Sequence, residues 1–288
     1  NSARVIEYAG RVIISARYTL SLKRIFMKLK TVLAAPLITA MLFNSLPSFA
    51  SDTSSAFTPE QEKRIGEIAA DYMRAHPEIL IQMSESLQQE QQEKQTRELK
   101  SAAIAQQARI MADKRIPSWG AEGGSVMVVE FFDYQCIWCS RLAPELEKVM
   151  KANTNVRYFF MEWPVFGSRW PESLLAAKTG LQVWKEKGEE AYLKYHNGIY
   201  SSGLNEGKLT QDAIGKYSEN MKFSKNTIDE INSTLTDIND IATTIGLTGT
   251  PGIVIMPVKG ATEDNTTVFA GMTEAENIQQ AINKAQGK

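Results

Sequence analysis

Residues 126–139 read Val126-Met127-Val128-Val129-Glu130-Phe131-Phe132-Asp133-Tyr134-Gln135-Cys136-Ile137-Trp138-Cys139. Six of the first seven are apolar, the pattern of a strand covered on both faces. The two cysteines follow at the start of a stretch, Cys136–Ala152, whose composition suits a helix. One helical turn brings residues i and i+3 onto one face, so two sulfurs at that spacing can bond with little strain. The first sulfur then lies at a helix N-terminus. There the unpaired N–H groups and the helix dipole favour a thiolate. A stabilised thiolate is a good leaving group and makes its disulfide more oxidising. This predicts Cys136 as an exposed nucleophile and Cys139 as a more buried resolving thiol.

The chain has no other cysteine. A secreted scaffold held by disulfides would carry more, spread along its length. A structural zinc site needs four ligands, and the only histidines are His76 and His196. The reading is therefore no metal and no cofactor beyond a redox-active Cys136–Cys139 disulfide. A Cu(I) site on the two thiolates remains chemically reasonable. His76, beside Pro77, reads as a helix-end residue, and His196 as a packing or capping residue.

Outward from the dithiol, Val156–Trp163 reads as a second strand. Pro171–Ile245 is long and mostly helical. Gly252–Met256 and Thr266–Ala270 are further strands, and Thr273–Ala285 is a closing helix with Thr273 as its cap. Lys114–Ser125 carries one proline and three glycines and reads as a connecting loop.

Two other residues stand out. Glu130 is a carboxylate inside an apolar strand, a place that disfavours charge unless the group has a partner or a task. Burial should raise its pKa, and six residues before Cys136 it could sit beneath Cys139 and exchange protons with it. A strand-end glutamate reaching solvent is the alternative. Thr250-Pro251 precedes an apolar strand between Gly249 and Gly252, a place suited to a cis-proline, although an ordinary trans turn is also open.

Upstream, 57–113 reads as helix throughout. Thr58-Pro59-Glu60-Gln61 is a start signal, with Thr as cap, Pro at the first helical position and Gln at the capping-box position. Ile65, Ile68, Tyr72 and Met73 repeat at helical spacing. His76-Pro77 then breaks the helix, and Ile79, Met83 and Leu87 continue the apolar pattern. Residues 88–98 (QQEQQEKQTRE) contain no apolar side chain and would span about 16 Å as helix. Such a section cannot fold onto its own domain, so the stripe before it needs a partner, either the rest of the chain or other copies of it.

The first 50 residues are set apart from the fold. Lys28-Leu29-Lys30, the apolar run 31–47 and Ser48-Phe49-Ala50 form a signal-peptide pattern over 27–50, beginning at Met27. Residues 1–26 show no functional pattern and read as a non-native or misassigned upstream segment. The formal net charge is −1, but removing 1–50 leaves 25 basic and 32 acidic residues. An acidic body argues against nucleic acid as a partner.

The division is thus 1–26 upstream, 27–50 signal peptide, 51–113 helical oligomerisation segment and linker, and 114–288 catalytic domain with an insert at about 171–245. The strand–helix–strand, helical insert, strand–strand–helix order is α/β and resembles a thioredoxin fold with an inserted helical subdomain, preceded by an all-helical N-terminal oligomerisation segment.

Phe131-Phe132-Asp133-Tyr134-Gln135-Cys136-x-x-Cys139, Glu162-x-Pro164-x-Phe166-Gly167 and Gly249-Thr250-Pro251 resemble the DsbA-like periplasmic oxidoreductases. With His76-Pro77-Glu78 the chain looks closest to the ScsC (suppressor of copper sensitivity) and Com1-like branch. The resemblance implies Cys136 as nucleophile, Cys139 as resolving thiol, Glu130 as buried acid and Pro251 as cis-proline. Thr250, Ile137 and Trp138 would face the substrate. It implies a periplasmic, trimeric or dimeric homo-oligomer built through 57–87. The clients would be unfolded or misoxidised secreted proteins, and a membrane partner of DsbB or DsbD type would reset the dithiol. Ile137-Trp138 contains no histidine, unlike many strong oxidases, and Thr250 precedes the proline. Both tilt the expectation toward a disulfide isomerase or reductase. A DsbA-type dithiol oxidase and a copper-tolerance protein binding Cu(I) stay as alternatives.

Overall fold

The computed structural model describes residues 56–223 and 225–288. The upstream segment and the signal-peptide pattern lie outside the described residues. Contacts divide the chain after Arg64, and the unit 65–288 carries the site. No helix among the described residues is long and apolar enough to cross a membrane.

Helix α1 (Pro59–Ala75) starts as the sequence predicts. The Thr58 N–H donates to Gln61 Oε1 at 2.8 Å, and the Gln61 N–H donates to Thr58 Oγ1 at 3.3 Å. This reciprocal pair satisfies two donors that a helix start leaves free. Pro77 ends that run, and α2 (Glu78–Ala112) continues as one helix of 35 residues, about 52 Å long. Residues 88–98 are exposed along their whole length, as a polar stretch without an apolar face must be.

The sheet has the order β1-β3-β2-β4-β5. Its strands are β1 (Ser118–Gly120), β2 (Val126–Phe132), β3 (Val156–Glu162), β4 (Gly252–Pro257) and β5 (Thr267–Phe269). Strands β2 and β3 run parallel and the other pairs are antiparallel. Strand β1 corrects the reading of 114–125 as pure loop. Three residues pair Ser118 with Phe159 and Gly120 with Arg157, and so add an edge strand.

Every residue of β2 is buried because the sheet is covered on both faces. Val126, Val128 and Phe132 face a core shared with α3 (Ile137–Ala152), α4 (Pro171–Ser201), α5 (Gln211–Ser218) and α7 (Ala275–Ala285). Met127, Val129 and Phe131 face the opposite core. That second core is closed by Ile238, Ile241, Ala242 and Ile245 of α6 (Lys225–Ile245) and by Ala103 and Ile110 of α2. The helical stretch 171–245 therefore ends in a helix that covers the sheet itself. Thr273 does not cap α7: its hydroxyl accepts from Asn277 Nδ2 at 3.2 Å, and the cap position is Glu274.

The last third of α2 likewise belongs to the sheet domain rather than to a free linker. Gln107 Nε2 donates to the Pro257 carbonyl at 2.7 Å. Arg109 pairs with Asp237 and Asp240 of α6, and Arg115 bridges Asp113 and Asp237. Small and branched apolar residues spaced among Gln and Arg give this end a narrow apolar stripe, which the open face of the sheet covers.

Candidate functional site

Cys136 occupies the N-cap position of α3, with extended backbone (φ −78°, ψ 120°), and the helix begins at Ile137. The turn before it is built by Asp133. Its carboxylate accepts from the N–H groups of Gln135 at 2.8 Å and Phe166 at 2.9 Å and from the Ser173 hydroxyl at 2.8 Å. Its carbonyl accepts from the Cys136 N–H at 3.0 Å. Asp133 thus ties the segment between strand and helix to the Pro164–Gly167 turn. Burial raises the Asp133 carboxyl, against the pull of those three donors.

Both sulfurs are free thiols and both are buried; Cys136 is 2% exposed and Cys139 0%. This corrects the expectation of an exposed Cys136, because the Thr250 segment lies over it. Cys136 Sγ is 3.3 Å from the Thr250 carbonyl. The two thiols are nevertheless electrostatically unlike. The hydrogen bond from Cys139 brings Cys136 down to about 6, against its own burial and with help from the Thr250 side chain and the N–H groups of Cys139 and Trp138. Burial is the largest cause pushing Cys139 far up, followed by its bond to Cys136. One sulfur ionises near neutrality while its neighbour keeps a proton.

Thr250–Pro251 is a cis peptide bond, and Pro251 is buried. The flanking glycines differ. A Cβ at Gly252 would meet Leu247 Cδ1 at 2.7 Å, whereas at Gly249 nothing lies within 4 Å. Only Gly252 is there for want of room. Trp138 is 49% exposed beside the dithiol, with the Arg141 guanidinium 4.7 Å from its ring centroid. Ile137 is half-buried, and its N–H donates to Glu206 Oε1 at 3.4 Å.

Glu130 is 1% exposed and does not reach solvent. It lies between Val128 and Phe132 on the β2 face that packs toward Cys136 and Cys139. Among the described residues neither of its oxygens has a hydrogen-bond partner, and burial lifts it to about 8. Tyr200 lies in the same buried cluster, its hydroxyl donating to the Asp133 carbonyl at 3.2 Å. Its hydroxyl is raised by burial first, and then by Cys139, Glu130, Asp133 and Glu162. No group of three or more His, Cys, Asp or Glu among the described residues is arranged to hold a metal.

A family model described as thioredoxin matches residues 112–283. The chain belongs to this thioredoxin family. A second model, described as the N-terminal domain of the copper resistance protein ScsC, matches residues 61–94. The crystal structure of Salmonella enterica Typhimurium BcfH is similar at 35% identity and a TM-score of 0.69, over 79% of this chain and 97% of that one. Proteus mirabilis ScsC in a transitional conformation matches at 22% identity and TM-score 0.53, over 81% and 98%. The thiol-disulfide exchange protein alpha-DsbA2 from Wolbachia pipientis matches at 22% and 0.53, over 65% and 95%. The last two show likeness of fold. No curated protein matches. The resemblance to DsbA-like and ScsC proteins drawn from the motifs is borne out, as is the thioredoxin fold with a helical segment before it.

Three groups of this thioredoxin-family site were not singled out as site residues from the sequence. Glu162 is fully buried, and its Oε1 accepts from the hydroxyls of Tyr134 and Tyr192, each at 2.9 Å. A Cβ at Gly180 would collide with that oxygen, so the glycine makes room for the acid. The argument that marked Glu130, an acid inside an apolar strand, applies equally to Glu162 on the neighbouring strand. His196 is 2% exposed and lies in the same cluster. Its signal was the helical repeat of Tyr192, His196 and Tyr200 at every fourth residue. Glu206 is held by its N–H to the Gln135 carbonyl at 3.0 Å, in a left-handed conformation (φ 53°). Its carboxylate sits at the helix end that also serves Cys136, and nothing local in the sequence marks it.

Proposed function

We propose that this chain is a periplasmic thiol–disulfide oxidoreductase that acts as an oligomeric disulfide isomerase or reductase on secreted proteins. The unlike dithiol at the start of α3 is the observation that carries this reading. The Cys136 thiolate attacks a client disulfide. One client sulfur bonds to Cys136 Sγ, and the other leaves as a thiolate, which takes up a proton from water only where the client is released reduced. In isomerisation the freed client thiolate attacks a different disulfide, and a client sulfur later expels Cys136, with no net change in oxidation. In reduction Cys139 loses its proton and attacks Cys136 Sγ. The client is released reduced, and Cys136–Cys139 is left as a disulfide for an external reductant of DsbD type.

Exposed Trp138 and the Thr250 backbone beside Cys136 are suited to an extended, partly apolar client. The absence of an imidazole between the cysteines and the threonine before Pro251 favour isomerase or reductase over oxidase. A matched ScsC segment and a stripe left exposed on one chain support assembly with other copies. Ile65, Ile68, Tyr72, Met73, Met83 and Leu87 are all exposed there, and Ile79 is half-buried. The steady-state thiol form in cells tests the direction. Alkylation should trap most of the protein as the dithiol. A mostly oxidised pool would instead select a DsbA-type oxidase served by a DsbB-type partner.

Glu130 is assigned the proton exchanged with Cys139. Its carboxyl is raised to about 8, so the acid form dominates at neutral pH and can protonate the Cys139 thiolate as the disulfide opens. The carboxylate that takes the proton back becomes the major form only above pH 8. Glu130→Gln should therefore slow exchange by on the order of 10²-fold and remove an inflection between pH 7 and 9. Stopped-flow exchange rates with unchanged profiles would make the residue merely structural.

A further inference from the structure

Among the described residues, four buried polar atoms without partners crowd one place: both Glu130 oxygens, Glu162 Oε2 and His196 Nε2. His196 Nε2 lies 3.8 Å from Glu130 Oε2. Nδ1, on the other side of the ring, lies 3.0 Å from Asn197 Oδ1, which is an acceptor. A neutral imidazole carries one proton, and with the Asn197 amide in this orientation it belongs on Nδ1, which leaves Nε2 as an acceptor aimed at Glu130. The ring cannot readily turn away. Phe132 and Tyr200 meet it edge-on at 4.9 and 5.0 Å, and Phe160 lies tilted at 5.1 Å.

We propose that His196 is a positioning residue for the dithiol chemistry: its Nε2 accepts the Glu130 carboxyl proton and so holds that proton on Oε2. The inference rests on Glu130 being the proton carrier for Cys139. Closing the contact to hydrogen-bond length needs a movement of about 1 Å. Burial favours the neutral form of each partner, with Glu130 raised to about 8 and His196 lowered to about 4, so the contact is a neutral O–H···N bond rather than an ion pair. The other titratable groups of the cluster work the same way or are neutral. Glu162 on β3 and Asp133 disfavour a second negative charge. Tyr134, Tyr192 and Tyr200 are held as phenols, and Cys139 keeps its proton. When the Cys139 thiolate leaves its disulfide, it takes the proton from Glu130 and the bond to His196 is lost. The proton returns when Cys139 next ionises, and the bond re-forms.

The chain has only two histidines, so nitrogen NMR on the full chain labelled in histidine decides the matter, with His76→Asn assigning the signals. The expected result is an unprotonated, hydrogen-bonded Nε2 in His196 that shifts in one step near pH 8, a step absent in Glu130→Gln. In His196→Phe, which keeps a ring among Phe132, Phe160 and Tyr200, the exchange midpoint should fall by about half to one pH unit, the size of one hydrogen bond. A protonated Nε2, or no step while exchange keeps its Glu130-dependent midpoint, overturns the role of His196 alone. A Glu130→Gln profile identical to wild type sinks the Glu130 reading, and the inference with it. The wild-type spectra decide even if His196→Phe fails to fold.

Discussion

Cys136→Ser is expected to abolish thiol exchange, and Cys139→Ser to accumulate mixed disulfides between Cys136 and client proteins. The two substitutions differ so sharply because the site makes the two sulfurs chemically unlike. Cys136, held at about 6, is mostly thiolate at neutral pH, while burial keeps Cys139 a thiol. A free cysteine near 8.5 is only about 3% thiolate at pH 7, so Cys136 offers about thirty times more of the reactive form. Part of that gain is offset, since a less basic thiolate is a weaker nucleophile. The sign of the pH dependence follows. Attack by Cys136 should rise from pH 5, pass its midpoint near 6 and level off above 7. Thiolate absorbance and alkylation rates read the same midpoint. Ionisation at or above 8.5 would overturn the assignment, as would adducts forming on Cys139 in the Cys136→Ser protein. Serine in place of Cys139 leaves no second sulfur to attack the mixed disulfide, so the trapped adducts should persist.

A chain beginning at residue 98 is expected to be a monomer that still exchanges thiols but no longer repairs scrambled disulfides. The stripe 65–87 lies wholly upstream of that cut, and its large apolar side chains are exposed on a single chain. Burying one such side chain fully contributes roughly 1.5–3 kcal/mol, so several across identical copies outweigh the entropy of association. The position of the cut matters. Ending the deletion at 113, the boundary drawn from the sequence, would also remove Ala103 and Ile110, which are 0% and 1% exposed against the sheet. Even truncating one buried residue of that kind costs about 2–5 kcal/mol, against a total stability of about 5–15 kcal/mol for a typical domain. The longer deletion should therefore fail through unfolding and say nothing about assembly. Light scattering of a chain beginning at residue 51 gives the direct answer. A monomeric mass at micromolar concentration would refute the oligomer and favour an oxidase acting one-on-one.

The parts of the fold that were legible were those with a strong local pattern. The apolar run 126–132, the cysteine pair after it and the Thr58–Gln61 start each carry their meaning within a few residues. Strand β1 was hidden because three residues between a proline and a turn glycine have no period to read; only pairing with β3 makes them a strand. The docking of 99–112 was hidden for a related reason. Its apolar residues are sparse, and the open sheet face they cover is built from segments far along the chain. At the site, Glu130 was legible as an acid out of place. His196 and Glu206 were not, since each gains its meaning from a neighbour 66 or 69 positions away in sequence. The expected exposure of Cys136 failed because the cover, Thr250, comes from more than a hundred residues downstream.

Helix α2 also acts as a phase-setting shaft. One end, around Leu80 to Leu87, carries exposed apolar side chains, and the other is fixed to the sheet by Gln107 and Arg109. Because the 35 residues between Glu78 and Ala112 form one unbroken helix, the azimuth of the catalytic mouth about the shaft is counted in residues. Each residue added within 88–98 would turn one end against the other by about 100° and move it by about 1.5 Å. Seven added residues would return the mouth to within about 20° of its starting azimuth, while lengthening the shaft by about 10.5 Å. In a closed ring of copies, direction and reach are thereby separable quantities. The direction each dithiol faces repeats with the helical period, whereas the width of the space enclosed grows with every residue.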